Sequence, residues 1–279
     1  MRYSTRLLAV LLGSSVALTG CDSSYSPTDA GQGGSGSLYP ATQARKALRE
    51  RDDVQIVSAT GDIAPVIQQY RDLFGAGPAN PNTPGDFGSG RREINWDGVP
   101  SAVTNNDLFP GTFFNVNSPR GVVFTTDGFA FRISNQGYRD LNLAYGDEFQ
   151  AFSPFKMFIA RGSTVINVQF FVAGSQEPAV VDGFGSVFED VGRAHSTTIE
   201  YFDAAGNKLL EIAAPRASDA TGLSFAGAKF ASPIVASVRI TAGDTPLSET
   251  TFDNVKGAGK KFDLVATDDF IYGEPHKIK

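Results

Sequence analysis

Apolar side chains fall on every second position along residues 164–172, at Ile166, Val168, Phe170 and Val172, and again along 234–240, at Ile234, Ala236, Val238 and Ile240. A period of two puts all of them on one face of an extended chain, so these segments suit half-buried strands and not helices. Residues 93–97, 112–116, 122–126, 129–134, 156–160, 185–191, 197–202, 208–212 and 263–272 read as further strands. Turn residues separate them, and Asp203-Ala204-Ala205-Gly206-Asn207 and Thr126-Asp127-Gly128-Phe129 carry hairpin signals. The chain has 22 phenylalanines, and flat rings in that number suit the interior between two sheets. The expected fold is mainly β: an antiparallel β-sandwich, jelly-roll-like, with a short helical N-terminal cap.

The cap is expected over residues 41–77. Residues 41–51 are rich in Ala, Arg, Lys and Leu, and Ile63, Val66, Ile67, Tyr70 and Phe74 form one stripe at helical spacing until Gly75, Gly77 and Pro78 end it. Residues 78–90 are a loop of Pro, Gly and Asn, and the sandwich domain takes the remainder, 78–279. Before the cap, residues 21–40 are Ser, Gly, Asp and Pro, too polar to bury area that would offset ordering entropy, and are expected to be a flexible tether.

Residues 1–20 have the layout of a signal peptide: Arg2 and Arg6, an apolar run from Leu7, then Leu18-Thr19-Gly20-Cys21. That tetrapeptide resembles a bacterial lipobox. The resemblance implies that Cys21 is the first mature residue and carries lipid, so that the protein sits at the cell membrane or envelope and faces away from the cytoplasm. Asp22 is similar to the residue that retains lipoproteins in the inner membrane of enteric bacteria. Losing Arg2 and Arg6 leaves 22 basic residues against 30 acids, a net charge of −8 compared with −6 for the whole chain. An acidic surface argues against nucleic acid as a partner and against electrostatic binding to anionic lipid, so acyl chains are expected to supply the attachment. After residue 20 no apolar run approaches the ~20 residues of a spanning helix.

Little in the sequence suggests catalysis. Cys21 is the only cysteine, which rules out an intramolecular disulfide. His195 and His276 are the only histidines, and no phosphate-binding loop or nucleophile elbow is present. Carboxylates are the better candidates. If residues 93–97 are extended, Glu93, Asn95 and Asp97 share one face. Glu-Ile-Asn-Trp-Asp resembles the alternating acidic strand of jelly-roll β-glucanases, which implies Glu93 and Asp97 as a catalytic pair. This sequence departs from that pattern at Asn95 and in the Gly98-Val99-Pro100 that follows. The same oxygens, with Asp268 and Asp269, suit a structural calcium ion joining the first and last strands. For a sugar ligand, residues 135–145 set Tyr138 and Tyr145 beside Asn135, Gln136, Arg139 and Asn142.

Five blocks resemble those of a family of uncharacterised exported bacterial proteins: Arg91-Arg92-Glu93-Ile94-Asn95-Trp96-Asp97-Gly98-Val99-Pro100, Ser118-Pro119-Arg120-Gly121, Gly183-Phe184-Gly185-Ser186-Val187-Phe188-Glu189-Asp190-Val191, Ile199-Glu200-Tyr201-Phe202-Asp203 and Asp268-Asp269-Phe270-Ile271-Tyr272-Gly273-Glu274-Pro275. The resemblance covers roughly residues 85–275 and implies no activity. The C-terminal half is similar to jelly-roll binding modules, including carbohydrate-binding ones. The expected function is a lipid-anchored, non-catalytic binding module outside the cytoplasm, with glycan as the ligand class. A glycoside hydrolase using Glu93 and Asp97 is one alternative, and a structural envelope protein without a small ligand is another.

Overall fold

A computed structural model describes residues 53–217, 222–251 and 262–279. The expected signal peptide, Cys21, the tether and residues 41–51 of the cap lie outside the described residues. All strand pairings are antiparallel. One sheet runs in the order β1 (Val54–Thr60), β11 (Leu223–Phe230), β8 (Gly183–Glu189), β13 (Ala266–Gly273), β5 (Met157–Arg161), β4 (Ala130–Ser134), with β2 (Arg91–Ile94) also on β13. The other runs β10 (Lys208–Ala213), β9 (Thr198–Phe202), β12 (Ser237–Thr241), β6 (Val165–Phe170), β3 (Val122–Thr125). A two-stranded ladder joins β7 (Ala179–Val180) to β14 (His276–Lys277). The chain is mainly β and forms an antiparallel β-sandwich.

The two sheets differ in how their faces are used. In β6, β9 and β12 buried and more exposed positions alternate, because only one face meets the core. In β8 and β13 every residue is buried. Their inner face joins the main core, where Trp96 stacks on Phe158 with ring centroids 4.0 Å apart and meets Phe114 and Phe270 edge-on. Their outer face is covered by helix α1 (Ala64–Asp72) and by loops. Ile63, Ile67, Tyr70 and Phe74, spaced four, three and four, pack on Val187, Phe225 and Ile271. Gly185 pairs directly with Gly227, and a Cβ on either would approach the Tyr70 ring to 2.8–2.9 Å. The two glycines therefore leave a slot for that ring, whose hydroxyl donates to Ala228 O at 2.9 Å.

Three local expectations are corrected. Residues 54–60, inside the expected helical cap, form the edge strand β1. Residues 112–116, read as a strand from their apolar content, contain the short helix α2 (Phe113–Val116). Thr126-Asp127-Gly128-Phe129 joins β3 to β4, which lie in different sheets, so the turn crosses the sandwich edge instead of closing a hairpin. The turn at 203–207 does close a hairpin: Asp203 Oδ1 accepts from Ala205 N and Asn207 N, and Gly206 has φ +80°.

Candidate functional site

An open groove of about 1270 Å³ lies beside β14, where the end of α1, the turn at 86–90, the 203–205 hairpin tip and residues 229–234 converge. Ile234 and Ile278 are 41% and 36% exposed and supply apolar wall. Two charge pairs stand in the same walls. Lys229 Nζ lies 2.8 Å from Asp182 Oδ2 and 5.6 Å from the centre of the Phe74 ring, and His276 Nδ1 lies 3.0 Å from Asp86 Oδ1. Asp86 Oδ1 also accepts from Gly88 N at 2.7 Å, which fixes the carboxylate in its turn. The walls thus combine hydrogen-bonding groups with apolar surface and little net charge.

A second constellation is enclosed. Along β13, Thr267 pairs with Phe188 and Phe270 with Ser186, so Asp268 and Asp269 stand opposite the single residue Val187 in a β-bulge. The neighbour on β13's other side changes at the same place, from β5 at Thr267 to β2 at Phe270. The bulge turns two consecutive carboxylates toward the cover over the outer face, where Glu189 joins them. Glu189, Asp268 and Asp269 are 0%, 0% and 4% exposed. The Asp268 carboxylate accepts from Phe152 N at 2.7 Å, Ser153 N at 3.2 Å and Ser153 Oγ at 2.9 Å. Asp269 Oδ2 lies 3.7 Å from Arg71 Nη2, but that guanidinium is closer to Glu93, at 2.8 Å. Among the described residues neither Glu189 oxygen, nor Asp269 Oδ1, has a partner in strict hydrogen-bonding geometry, although the N–H groups of Gln150 and Phe152 lie near Glu189. Burial pushes all three carboxyls up. The neighbouring Asp268 charge adds to the rise at Glu189, and the Asp269 charge adds to it at Asp268; the N–H groups near Glu189 and the Ser153 hydroxyl offset part of the effect.

The sequence-predicted residues are distributed differently. β2 ends at Ile94, and Trp96 has φ +63°, so Glu93, Asn95 and Asp97 do not share the face of one strand. Glu93 is held by Arg71 and by Arg91, whose Nε is 2.6 Å away. The Asn95 side chain is exposed, and Asp97 follows in the turn that Lys156 Nζ pins through Asp97 O and Val99 O. Asp97 is raised by burial, but it belongs to no carboxylate pair with Glu93. The five proposed calcium ligands are not gathered either: among the described residues no group of three or more His, Cys, Asp or Glu is placed to hold a metal ion. The first and last strands of the expected calcium clamp are joined instead by the β2–β13 ladder.

Residues 135–145 fold inward. Tyr138 and Tyr145 are 0% exposed and pack with Phe149, Met157 and Leu264, so neither offers a face for a sugar to stack on. Tyr145 OH meets Ser248 O at 2.9 Å, and Asn142 Nδ2 donates to Glu249 O and Thr251 O. Asn135 Oδ1 accepts from Asn105 Nδ2 at 2.7 Å, Arg139 Nη2 donates to Gly146 O at 3.2 Å, and Gln136 is exposed. These polar groups tie the segment to its neighbours.

The groove was not foreseen because Phe74, Asp86, Asp182, Lys229 and His276 come from distant parts of the chain. Glu189 carried one usable signal, an acid ending a run of strand residues.

No family model matches the chain, and no match was found among curated proteins. Among solved structures, the crystal structure of the enzymatically active domain of bacteriophage CBA120 tailspike protein 4 is similar over 51% of this chain, at 14% identity and a TM-score of 0.17. This chain covers 21% of that chain's length, and a likeness of this size bears on neither fold nor function.

Proposed function

We propose that the protein is a lipid-anchored, non-catalytic binding module outside the cytoplasm, and that its ligand is a glycan held in the groove beside β14. The observation that carries this reading is the make-up of the groove walls. Ile234 and Ile278 give apolar patches, and the Lys229–Asp182 and His276–Asp86 pairs present donors and acceptors without a strong field of either sign. A pyranose ring has apolar C–H faces and many neutral hydroxyls, and such walls complement both. The lipobox-like segment ending at Cys21 supports the anchor, and the Ser/Gly-rich residues 21–40 support a tether between membrane and module. A hydrolase using Glu93 and Asp97 has weaker support, since Glu93 is engaged by two arginines.

A glycan array probed with the described body, followed by calorimetry on the best hit, tests the ligand. The expected result is retention of at least one glycan, a tenfold or greater loss of affinity in Lys229→Ala and in Asp86→Ala, and no release of reducing sugar. A silent array, or affinity indifferent to both substitutions, overturns the reading of the groove. Cys21→Ala tests the anchor separately: palmitate labelling is expected to disappear and the protein to leave the membrane fraction, and unchanged labelling excludes it.

A further inference from the structure

The cover over Glu189, Asp268 and Asp269 is the segment 149–155, and it is held in an unusual way. Its centre is fixed by Phe152 N, Ser153 N and Ser153 Oγ on Asp268 and by Ser153 Oγ on Asn95 O at 3.1 Å, and the N–H groups of Gln150 and Phe152 lie near Glu189. Its end is strained: Phe155 has φ +92°, a backbone region costly for a bulky residue, and its side chain is 75% exposed, so little packing compensates. Beyond Phe155 the chain is anchored again by Lys156 on Asp97 O and Val99 O.

Beneath the segment, acids outnumber cations. Glu189 on β8 and Asp268 and Asp269 on β13 face it, with Asp190 next to Glu189. Helix α1 contributes Arg71, and β2 contributes Glu93, which shares Arg71 with Asp269 and also binds Arg91. From the remaining side comes Tyr138, whose buried hydroxyl has no partner among the described residues, with Asp140 and Arg132 beyond it. Among the described residues Arg71, at 3.7 Å from Asp269, is thus the one cation in contact with the trio, and Glu93 already engages it. Three buried carboxylates with three unpartnered oxygen atoms cannot all carry charge in this enclosure without a large desolvation cost. They can carry protons.

We propose that residues 149–155 are a flap held shut by protons: it lies closed while the trio Glu189, Asp268 and Asp269 keeps its protons and lifts as they leave. Lifting admits water to the carboxylates, releases the strain at Phe155 and uncovers apolar surface around Phe149 and Phe152. The flap sits on the outer face of the seven-stranded sheet and needs no ligand in the groove, so it is independent of the glycan reading.

Hydrogen exchange of the wild-type protein between pH 5 and pH 9, corrected for intrinsic exchange rates, tests the proposal. The Phe152 and Ser153 amides are expected to lose tenfold or more of their protection across that range, while amides of β9 keep theirs. Glu189→Gln and Asp269→Asn, each of which removes one acid, are expected to flatten the loss. Constant protection at Phe152 and Ser153, or an equal loss in β9, overturns the flap. If either variant fails to fold, the wild-type series alone decides.

Discussion

Arg92 and Glu274 form a bidentate ion pair with no exposure on either side chain, Nε to Oε2 at 2.6 Å and Nη2 to Oε1 at 2.7 Å. The rest of the guanidinium donates to Pro81 O, Thr83 O, Gly85 O and Pro119 O, and the carboxylate also accepts from Asn80 Nδ2 and Phe87 N. A single pair therefore fastens β2, the end of β13 and the loop that forms part of the groove wall.

Truncating one partner leaves the other charge buried and alone. Arg92→Ala is expected to cost about 3–5 kcal/mol of unfolding free energy in urea titration, and Arg92→Lys to recover only part, because an ammonium cannot make the fork. A double replacement by apolar residues of similar volume is expected to be much less harmful than either single one.

Stability is expected to fall as pH rises from acid to mildly alkaline. Unfolded carboxyls titrate near ~4. In the folded protein burial pushes Asp269 up to about 6 and Asp268 to about 8, and raises Glu189 well above its ordinary value. The folded state then binds more protons, so this stability is complete below pH ~4 and is lost as pH climbs through the folded values. A melting midpoint higher at pH 5 than at pH 8.5 by roughly 5 °C or more is expected, and Glu189→Gln should narrow the gap. A midpoint that rises over the same interval contradicts the assignment.

Trp96 donates from Nε1 to Asp268 O at 2.8 Å while stacking on Phe158. Trp96→Phe keeps a ring but leaves that buried carbonyl unpaired, at about 1–3 kcal/mol. Trp96→Ala also opens a cavity, and about 3–5 kcal/mol is expected. Circular dichroism during denaturation measures both, since neither variant retains a tryptophan.

Two buried tyrosines should respond in opposite ways. Tyr138 OH has no partner among the described residues, so Tyr138→Phe is expected to be neutral or stabilising. Tyr145 OH bonds Ser248 O, so Tyr145→Phe is expected to lose about 1 kcal/mol. Neither should alter glycan affinity. A loss of binding in both with stability intact would return the ligand to residues 135–145.

Strands β6, β9 and β12 were legible because solvent on one face imposes alternation. β11, Leu-Ser-Phe-Ala-Gly-Ala-Lys-Phe, was not: most of it is buried, and its centre consists of small residues that leave room for Tyr70. α1 was read from its stripe, whereas β1, between two helix-like stretches, was absorbed into the cap. Asp268 and Asp269 stood out as consecutive acids in an apolar strand, but the bulge that turns them toward Glu189 has no signature in composition. Arg92 and Glu274 lay in two of the family-like blocks, and only the fold reveals that these blocks pair.

The register of β1 has a mechanical consequence. Val54 pairs with Phe230 and Gln55 with Lys229, so the first residues of this edge strand lie against the strand that carries a groove wall. If a ligand were gripped at Lys229, as proposed, tension from the chain preceding β1 would run through a few backbone hydrogen bonds of one ladder. The load path is short and bypasses the stacked rings at the centre of the sandwich.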